Sequence, residues 1–434
     1  MKSSLNSALG SDTMKHFDLI VIGGGQAGCS AALAAARQGL NVLLAEAGGA
    51  LGGAAVNCLV NPYMPFRTVI EQNGESRQIR LSDGIFGEIY DELNSDSIYG
   101  YKNGERLFHE ESMKVIYDRK MKEAGVTVLF HATLCDVRKT DRLIESVSFA
   151  TVGGIYTFSA DTFIDSTGDA TLAAFADCPF QIGRPDDNLC QPMTLCFRLG
   201  NVDTNNIPYA EIDDLYNEFQ AQGKIKNPRE DVLIFRSVIP GVLHFNTTRI
   251  VKLNPTDPFD RSEAEFLARE QIVEIFHFLR DNFKNFKNAD LLMSASQIGV
   301  RESRMIEARY QLTVQDLIDC VHFPDSIAAG NYDIDIHSPD GTGTSHRRFP
   351  QGVYYTIPYR SLIPKTVNNM LVAGRCIGAT HEAQASIRIM PICSCTGEAA
   401  GIAAAVAKDS NVCVADANAE EIRTRLLKAG AFVG

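Results

Sequence analysis

The chain has 434 residues, 45% hydrophobic and 22% charged, with 41 Lys+Arg against 53 Asp+Glu. Such a composition belongs to a globular chain with room for two to three domains, and it excludes global disorder, collagen and coiled coil. A formal charge of -12 and the lack of any long Lys/Arg run make nucleic acid an unexpected partner.

The first residues are polar, rich in Ser and without the apolar stretch of a signal peptide, so 1–15 reads as a disordered leader. Phe17 to Ile22 is a nearly continuous apolar run of strand length, as a parallel strand covered on both faces requires. Gly23-Gly24-Gly25-Gln26-Ala27-Gly28 follows at once. A helix of small residues, Cys29 to Arg37, comes next, stopped by Gly39, and then a second strand, Leu40 to Ala45, with Glu46 at its end. This is a βαβ unit. The stretch after Gly53, with Pro62, Pro65 and several Asn, reads as loop.

Further along, a helix is predicted over Glu110 to Ala124 and a strand over Val126 to Phe130. A strand meander from Cys135 to Asp165, with a Gly153-Gly154 turn, and a short helix over Thr171 to Ala176 follow. From Cys178 to Asp290 the βαβ rhythm stops, and a long helix near Ser262 to Lys287 accompanies alternating strands. Asn369 to Gly374 is again a buried strand, leading to an Ala-rich helix over Cys393 to Ala407. No stretch reaches 18 consecutive apolar residues, so no membrane span is expected. The 11 Cys include no C-x-x-C pair and cannot all be paired, which points to reduced thiols and a cytoplasmic setting.

Gly23-x-Gly25-x-x-Gly28 between strand and helix, with Glu46 standing 21 residues after Gly25, has the context of a dinucleotide site. Gly23 permits the tight turn, Gly25 lets backbone approach a pyrophosphate, and Gly28 lets helix and strand pack closely. The helix start, with Gln26 and Ala27, offers free N–H groups to phosphate, and Glu46 suits ribose hydroxyls. FAD and NAD share this pattern. Gly52-Gly53, Thr167-Gly168-Asp169 and Ala373-Gly374-Arg375 are further Gly turns beside predicted strand ends. They converge on one site if a long cofactor lies extended across the sheet, which favours FAD.

With these residues, and with Gly299-Val300-Arg301-Glu302-Ser303-Arg304, Ile357 to Leu362 and the block Val372 to Ala404, the chain resembles the FAD-dependent oxidoreductases (FAD-oxidored group). These are members of the glutathione-reductase-like flavoprotein superfamily and distant kin of the fumarate reductase and succinate dehydrogenase flavoproteins. The resemblance implies an α/β fold: a Rossmann-like FAD-binding domain with an inserted, mostly β substrate or cap domain. The expected division is FAD domain over 16–177, 291–310 and 367–434, and cap over 178–290 and 311–366. It further implies that Gly23, Gly25, Gln26, Ala27, Gly28 and Glu46 hold the ADP half, and that Gly52 and Gly53 lie along the pyrophosphate and ribityl chain. Thr167, Gly168 and Asp169 would form the second turn. Gly374, Arg375 and the helix start at Pro391, Ile392 and Cys393 would meet the flavin, and Arg301 would either reach the flavin region or anchor Glu302 and neighbouring carboxylates. Where the succinate dehydrogenase kin carry a His for covalent attachment, Ala54-Ala55-Val56-Asn57 has none, so non-covalent FAD is expected.

For catalysis, His381 and Arg388 lie between the last strand and the Ala-rich helix, and His346 and Arg348 form a second polar cluster. Imidazole moves protons near neutral pH, and Arg clamps carboxylates. Arg301 and Arg304, read at a helix start, share a face by their i,i+3 spacing. No redox Cys pair, metal-ligand grouping, Ser/His/Asp motif or second dinucleotide fingerprint is present. The reading is hydride transfer between a small organic substrate and flavin N5, the Arg-rich lining suggesting an anion. The alternatives are a flavin monooxygenase and a flavin-binding redox sensor or electron-transfer protein without its own substrate. Substrate and oligomeric state are not legible.

Overall fold

The structure is a computed structural model that describes residues 14–72, 74–95, 98–101, 104–341 and 343–434. Residues 1–13, most of the expected leader, lie outside it, and Lys15 already pairs with Phe158 as the start of the first strand. That strand, Lys15–Ile22, is central in a seven-stranded sheet. Val42–Ala45 and then Thr127–Leu129 lie parallel to it on one side, and Gly154–Asp165 lies parallel on the other. The far edge of Gly154–Asp165 is shared. Its first half pairs antiparallel with Leu143–Thr151, which continues to Thr133–Thr140, and its last residues pair parallel with Met370–Val372.

The register decides where a ligand can sit. Ile22 is level with Ala45 and with Asp165, and Asp165 is level with Val372. Four parallel strands, drawn from both ends of the chain, thus end on one line, and the glycine turns all leave the sheet along that edge. In open α/β sheets this carboxyl edge is where ligands bind.

A second sheet, antiparallel, runs in the order Ile234–Arg236, Leu243–Phe245, Phe197–Gly200, Asp290–Ser294. It has its own core, where Phe197 and Phe245 stack at 4.7 Å and Ile272, Ile275 and Leu279 of the long helix pack. That helix spans Pro258–Asn282, starting earlier than predicted because Asp257 caps it and Pro258 occupies its first turn. The 311–366 segment, read as a second part of the cap, packs Leu312, Leu317, Ile327, Tyr355 and Ile357 into the first core instead.

Two local readings are corrected. The stretch after Gly53 is not loop throughout: it contains the paired strands Arg67–Gln72 and Glu75–Arg80 and the helix Ile85–Ser95. Nor do Arg301 and Arg304 share a helix face. Gly299 bridges Thr194 and Arg304–Ile306 pairs with Phe180–Ile182, so this segment is not helical. The Ala-rich helix, Met390–Ser410, is long and apolar enough to cross a bilayer, but that apolar stretch is wholly buried against the rest of the chain.

Candidate functional site

A cleft of about 410 Å³ opens along the carboxyl edge of the first sheet. Following the strand order, Glu46, Ala47 and Thr133 line one end, Gly23, Gly25 to Ala27, Gly53 and Thr167 the middle, and Gly168, Asp169, Gly374, Arg375, Arg388, Met390 and Cys393 the other end. Gly23 has φ 99°, and a Cβ on it would fall 2.6 Å from Ser166 O, so the turn needs glycine there. Gly25 is different. A Cβ on it would meet only Gly53 Cα at 3.8 Å. Nothing among the described residues requires that space, which leaves a cradle for a ligand.

Two helices aim their N-termini at the cleft. The fingerprint helix, Gln26–Arg37, and the Ala-rich helix both start without a side-chain cap. Their first N–H groups and positive dipole ends therefore remain available to an anion or a charge-bearing ring. The helices cross very closely: a Cβ on Gly397 would lie 2.0 Å from Ala27 O, and one on Gly401 2.2 Å from Ala31 O. Backbone contact at these glycines is what allows both helix starts to face one cleft.

At the first end, Glu46 accepts from Gly24 N at 2.6 Å through Oε2 and from Gly48 N at 2.6 Å through Oε1. These bonds hold the carboxylate in place and leave each oxygen a second lone pair for a ribose hydroxyl. At the other end, Arg375 donates to Gly168 O at 2.8 Å and to Asp169 Oδ1 at 2.5 Å. Asp169 also takes Ser303 Oγ at 2.7 Å and Arg261 at 3.3 Å. Burial alone would raise the Asp169 pKa, but Arg375 and Arg261 hold it below the ordinary carboxylate value.

The chain matches the family of FAD dependent oxidoreductases over residues 18–426. It belongs to that family. It is accordingly an enzyme, and its cofactor is FAD. Among solved structures it is similar to a geranylgeranyl bacteriochlorophyll reductase-like protein from Thermoplasma acidophilum (12% identity, 96% of this chain and 85% of that one, TM-score 0.46). It is also similar to p-nitrophenol 4-monooxygenase from Pseudomonas putida (12% identity, 94% and 83%, TM-score 0.44). A third likeness is to a flavin-dependent brominase (13% identity, 95% and 83%, TM-score 0.47).

In this FAD-dependent oxidoreductase the expected cofactor residues divide. Gly23, Gly25, Gln26, Ala27, Glu46, Gly53, Thr167, Gly168, Asp169, Gly374, Arg375 and Cys393 line the cleft, whereas Gly28, Gly52, Arg301, Pro391 and Ile392 do not. Gly28 packs under Gly23, and Gly52 N braces the turn by donating to Gly24 O at 2.8 Å. The Gln26 side chain turns inward, its Oε1 accepting from Tyr117 OH at 2.6 Å, so its place at the cleft is that of a helix start. Cys393 and Cys58 also line the cleft, but burial pushes their thiols up to about 12 and about 11, so neither is a ready thiolate.

The expected catalytic residues separate as well. Arg388 lines the cleft beside Met390 and Cys393. His381 is buried, its Nδ1 2.7 Å from Glu302 Oε1, and it opens on a different cavity with Arg184, Ser338 and Thr344. His346 and Arg348 lie away from the cleft lining, with half and 87% of their side chains exposed. The residues that do surround Arg388 went unread in the sequence. They are Gln191, whose Oε1 is 3.5 Å from Arg388 Nη2, and Asp335, whose carboxylate is 3.8 Å away. Asp335 accepts from Tyr332 OH at 2.8 Å and lies 3.5 Å from His337 Nε2, while His337 Nδ1 faces Arg249 Nη2 at 3.2 Å. That contact assigns the His337 proton to Nε2. Burial and the Arg301 charge push its pKa well down, so it is a neutral link. Burial would raise Asp335, yet His337 and Arg388 hold it low. The only trace of this group in the sequence is the alternating Ile334-Asp335-Ile336-His337, which reads as an ordinary strand.

Proposed function

We propose that this oxidoreductase transfers a hydride between a small organic substrate and N5 of a non-covalently held flavin, in the cytoplasm. FAD supplies the two-electron carrier. The residues do the rest. Glu46 accepts from the adenosine ribose, and the N–H groups at the start of the fingerprint helix hold the pyrophosphate. The start of the Ala-rich helix supplies positive dipole at the pyrimidine side of the ring. Arg375, fixed by Asp169, adds charge at that end. Arg388 faces the substrate, and the unit built on the second core covers the ring and excludes water.

The observation that carries this reading is the meeting of two uncapped helix starts and Glu46 in one cleft, since that combination matches a long cofactor with charge at its middle and at one end. The test is optical. The purified protein is loaded with FAD, its visible spectrum recorded, and anaerobic bleaching followed with candidate organic donors. Acid precipitation should release the flavin into solution. A protein that cannot be loaded with FAD would sink the reading. Bleaching by NADH alone with rapid peroxide formation would replace it by the monooxygenase reading. A flavin that exchanges electrons with proteins but with no small molecule would favour the redox-partner reading.

A further inference from the structure

Where the two cores meet beside the cleft, two guanidinium groups lack a counter-ion of their own. Arg301 follows Val300, which lines the cleft, and is deeply set with part of its surface open. Its Nη1 donates to Pro192 O at 2.6 Å and to Thr194 Oγ1 at 2.5 Å, and its Nη2 to Asn246 Oδ1 at 3.3 Å. All three acceptors are neutral, and among the described residues no carboxylate forms an ion pair with it. Arg388 is little better served. Its Nη2 reaches Gln191 Oε1 and Asp335 O only at 3.5 Å, and its buried Nε has no hydrogen-bond partner. The one carboxylate within reach among the described residues, Asp335 at 3.8 Å, is shared with Tyr332, His337 and His346.

The surrounding charges sharpen the point. Arg249 pairs with Glu230 at 2.9 Å and Arg229 with Asp231 at 2.5 Å, so those two arginines are balanced. His337 is neutral. Arg301, Arg388 and Asp335 together leave one positive charge uncompensated. Burial first, then the charges of Arg388, Arg229 and Arg249, push the Arg301 pKa down to about 9, with only Asp335 pulling against them. Keeping a charge so deep and unpaired is unfavourable unless a ligand completes it. Among the described residues Arg301 Nε and Arg388 Nη1 make no hydrogen bond and are not enclosed, so donors are free on both sides, whereas the unpaired Arg388 Nε lies inside the protein.

We propose that Arg301 and Arg388 together clamp a carboxylate of the substrate, which makes the substrate a small carboxylic acid. One net positive charge matches a monoanionic carboxylate rather than a phosphate dianion. Two planar guanidinium groups suit its two oxygens. Arg301, expected on the flavin, is thereby assigned to the substrate. Asp335 and His337 act as positioning residues, holding Arg388 in place from behind. The placement of the clamp beside the reacting ring rests on the function proposed above, whereas anion binding itself does not.

The experiment titrates FAD-loaded protein with propionate, succinate and benzoate, with the matching amides, and with inorganic phosphate. Calorimetry and the difference spectrum of the bound flavin are read together. At least one carboxylate should bind saturably, with its amide about 100-fold weaker or undetectable. Arg301→Met and Arg388→Met should each weaken that carboxylate about 30-fold while leaving the FAD spectrum in place. Should Arg301→Met fail to fold, Arg301→Lys, which keeps the charge but loses the fork, should weaken it about tenfold. Equal binding of acid and amide, no saturable carboxylate, preference for phosphate, or full carboxylate affinity in the Arg301 variants would overturn the clamp. FAD loading with indifference to carboxylates removes the clamp alone. Carboxylate binding by a protein that cannot be loaded with FAD removes the hydride-transfer reading alone.

Discussion

Replacing Gly25 by alanine separates binding from folding at the fingerprint. Gly25 is the N-cap of its helix, with φ -72° and ψ -173°, a backbone conformation open to any residue. The added methyl would touch only Gly53 Cα, at 3.8 Å, which is an ordinary contact. The free protein should therefore lose no more than the N-cap preference of Gly over Ala, about 1 kcal/mol. The ligand is treated differently, because that methyl stands in the space between Gly25 and Gly53 where, in the proposed placement, the pyrophosphate would approach the helix start. Moving a phosphate outward by about 1 Å takes N–H···O contacts out of bonding range, and each charge-assisted bond is worth about 1.5–3 kcal/mol. Losing two removes at least about 3 kcal/mol, or about 100-fold in Kd for FAD. Urea denaturation of the FAD-free protein and quenching of FAD fluorescence on binding read the two effects independently. Gly28→Ala is the contrasting variant, since its Cβ would fall 1.8 Å from Gly23 O and should destabilise the FAD-free protein by about 1–3 kcal/mol or more. A Gly25→Ala protein that binds FAD within about threefold of the parent, or that unfolds without ligand, would refute the assignment of this space to the pyrophosphate.

Two further outcomes follow from the Ala-rich helix. Gly397→Ala sets a Cβ 2.0 Å from Ala27 O, which forces the two helices apart. It should cost about 1–3 kcal/mol by denaturation and weaken FAD binding as well, and unchanged values for both would show that the crossing does not position the cleft. Glu398, on the same helix and 1% exposed, has its pKa raised from 4.5 to about 7, mainly by burial and against the Ile85 N–H bond. With the folded value above the unfolded one, its contribution to stability is complete below about pH 4.5 and is lost as pH rises through about 7, an effect of about 3 kcal/mol. Glu398→Gln should flatten that part of the pH–stability profile and be the more stable protein at pH 8; identical profiles for the two proteins would show that Glu398 does not titrate in this way.

What could be read in the sequence was local and periodic. The strand, turn and helix from Phe17 to Arg37 lie where the apolar run and the glycines put them, and the meander and the strand before Gly374 follow the same logic. The helix Ile85–Ser95 was readable but was masked by the Pro and Asn residues before it. Its Ile85, Phe86, Ile89, Tyr90 and Leu93 have helical spacing and are all buried. Other features could not be read. Ile334–His337 and Thr344–Arg347 form a pair of strands, each carrying a histidine, and composition does not say which one the fold buries. His337 is buried against Arg249, while His346, directly across from Asp335, is half exposed. The place of Arg301 is hidden in the sequence for a related reason. Its i,i+3 relation to Arg304 has meaning only on a helix, whereas Thr194 and Phe180–Ile182, more than 100 residues earlier, draw that segment out of helical form.

Asp169 shows how such distant contacts change the meaning of a motif. Beside Gly168, in a turn leaving a parallel strand, it reads as a residue that touches the nucleotide. Its oxygens are in fact committed to protein partners: Oδ1 to Ser303 and Arg375, and Oδ2 to Arg261. Those partners come from the segment before Arg304–Ile306, from the strand end before the Ala-rich helix, and from the long helix of the second unit. The pairs are not equivalent. Arg375 is held at 2.5 Å with a side chain 20% exposed, whereas Arg261 is at 3.3 Å and 37% exposed. Solvent screens the second pair more, so it contributes under about 1 kcal/mol, while the first is shielded and supplemented by the Gly168 O contact. Displacement of the second unit would therefore break the Arg261 contact and leave Arg375 in place. The Arg375 charge belongs to the first unit, and the same carboxylate that fixes it gives the second unit only a weak hold there.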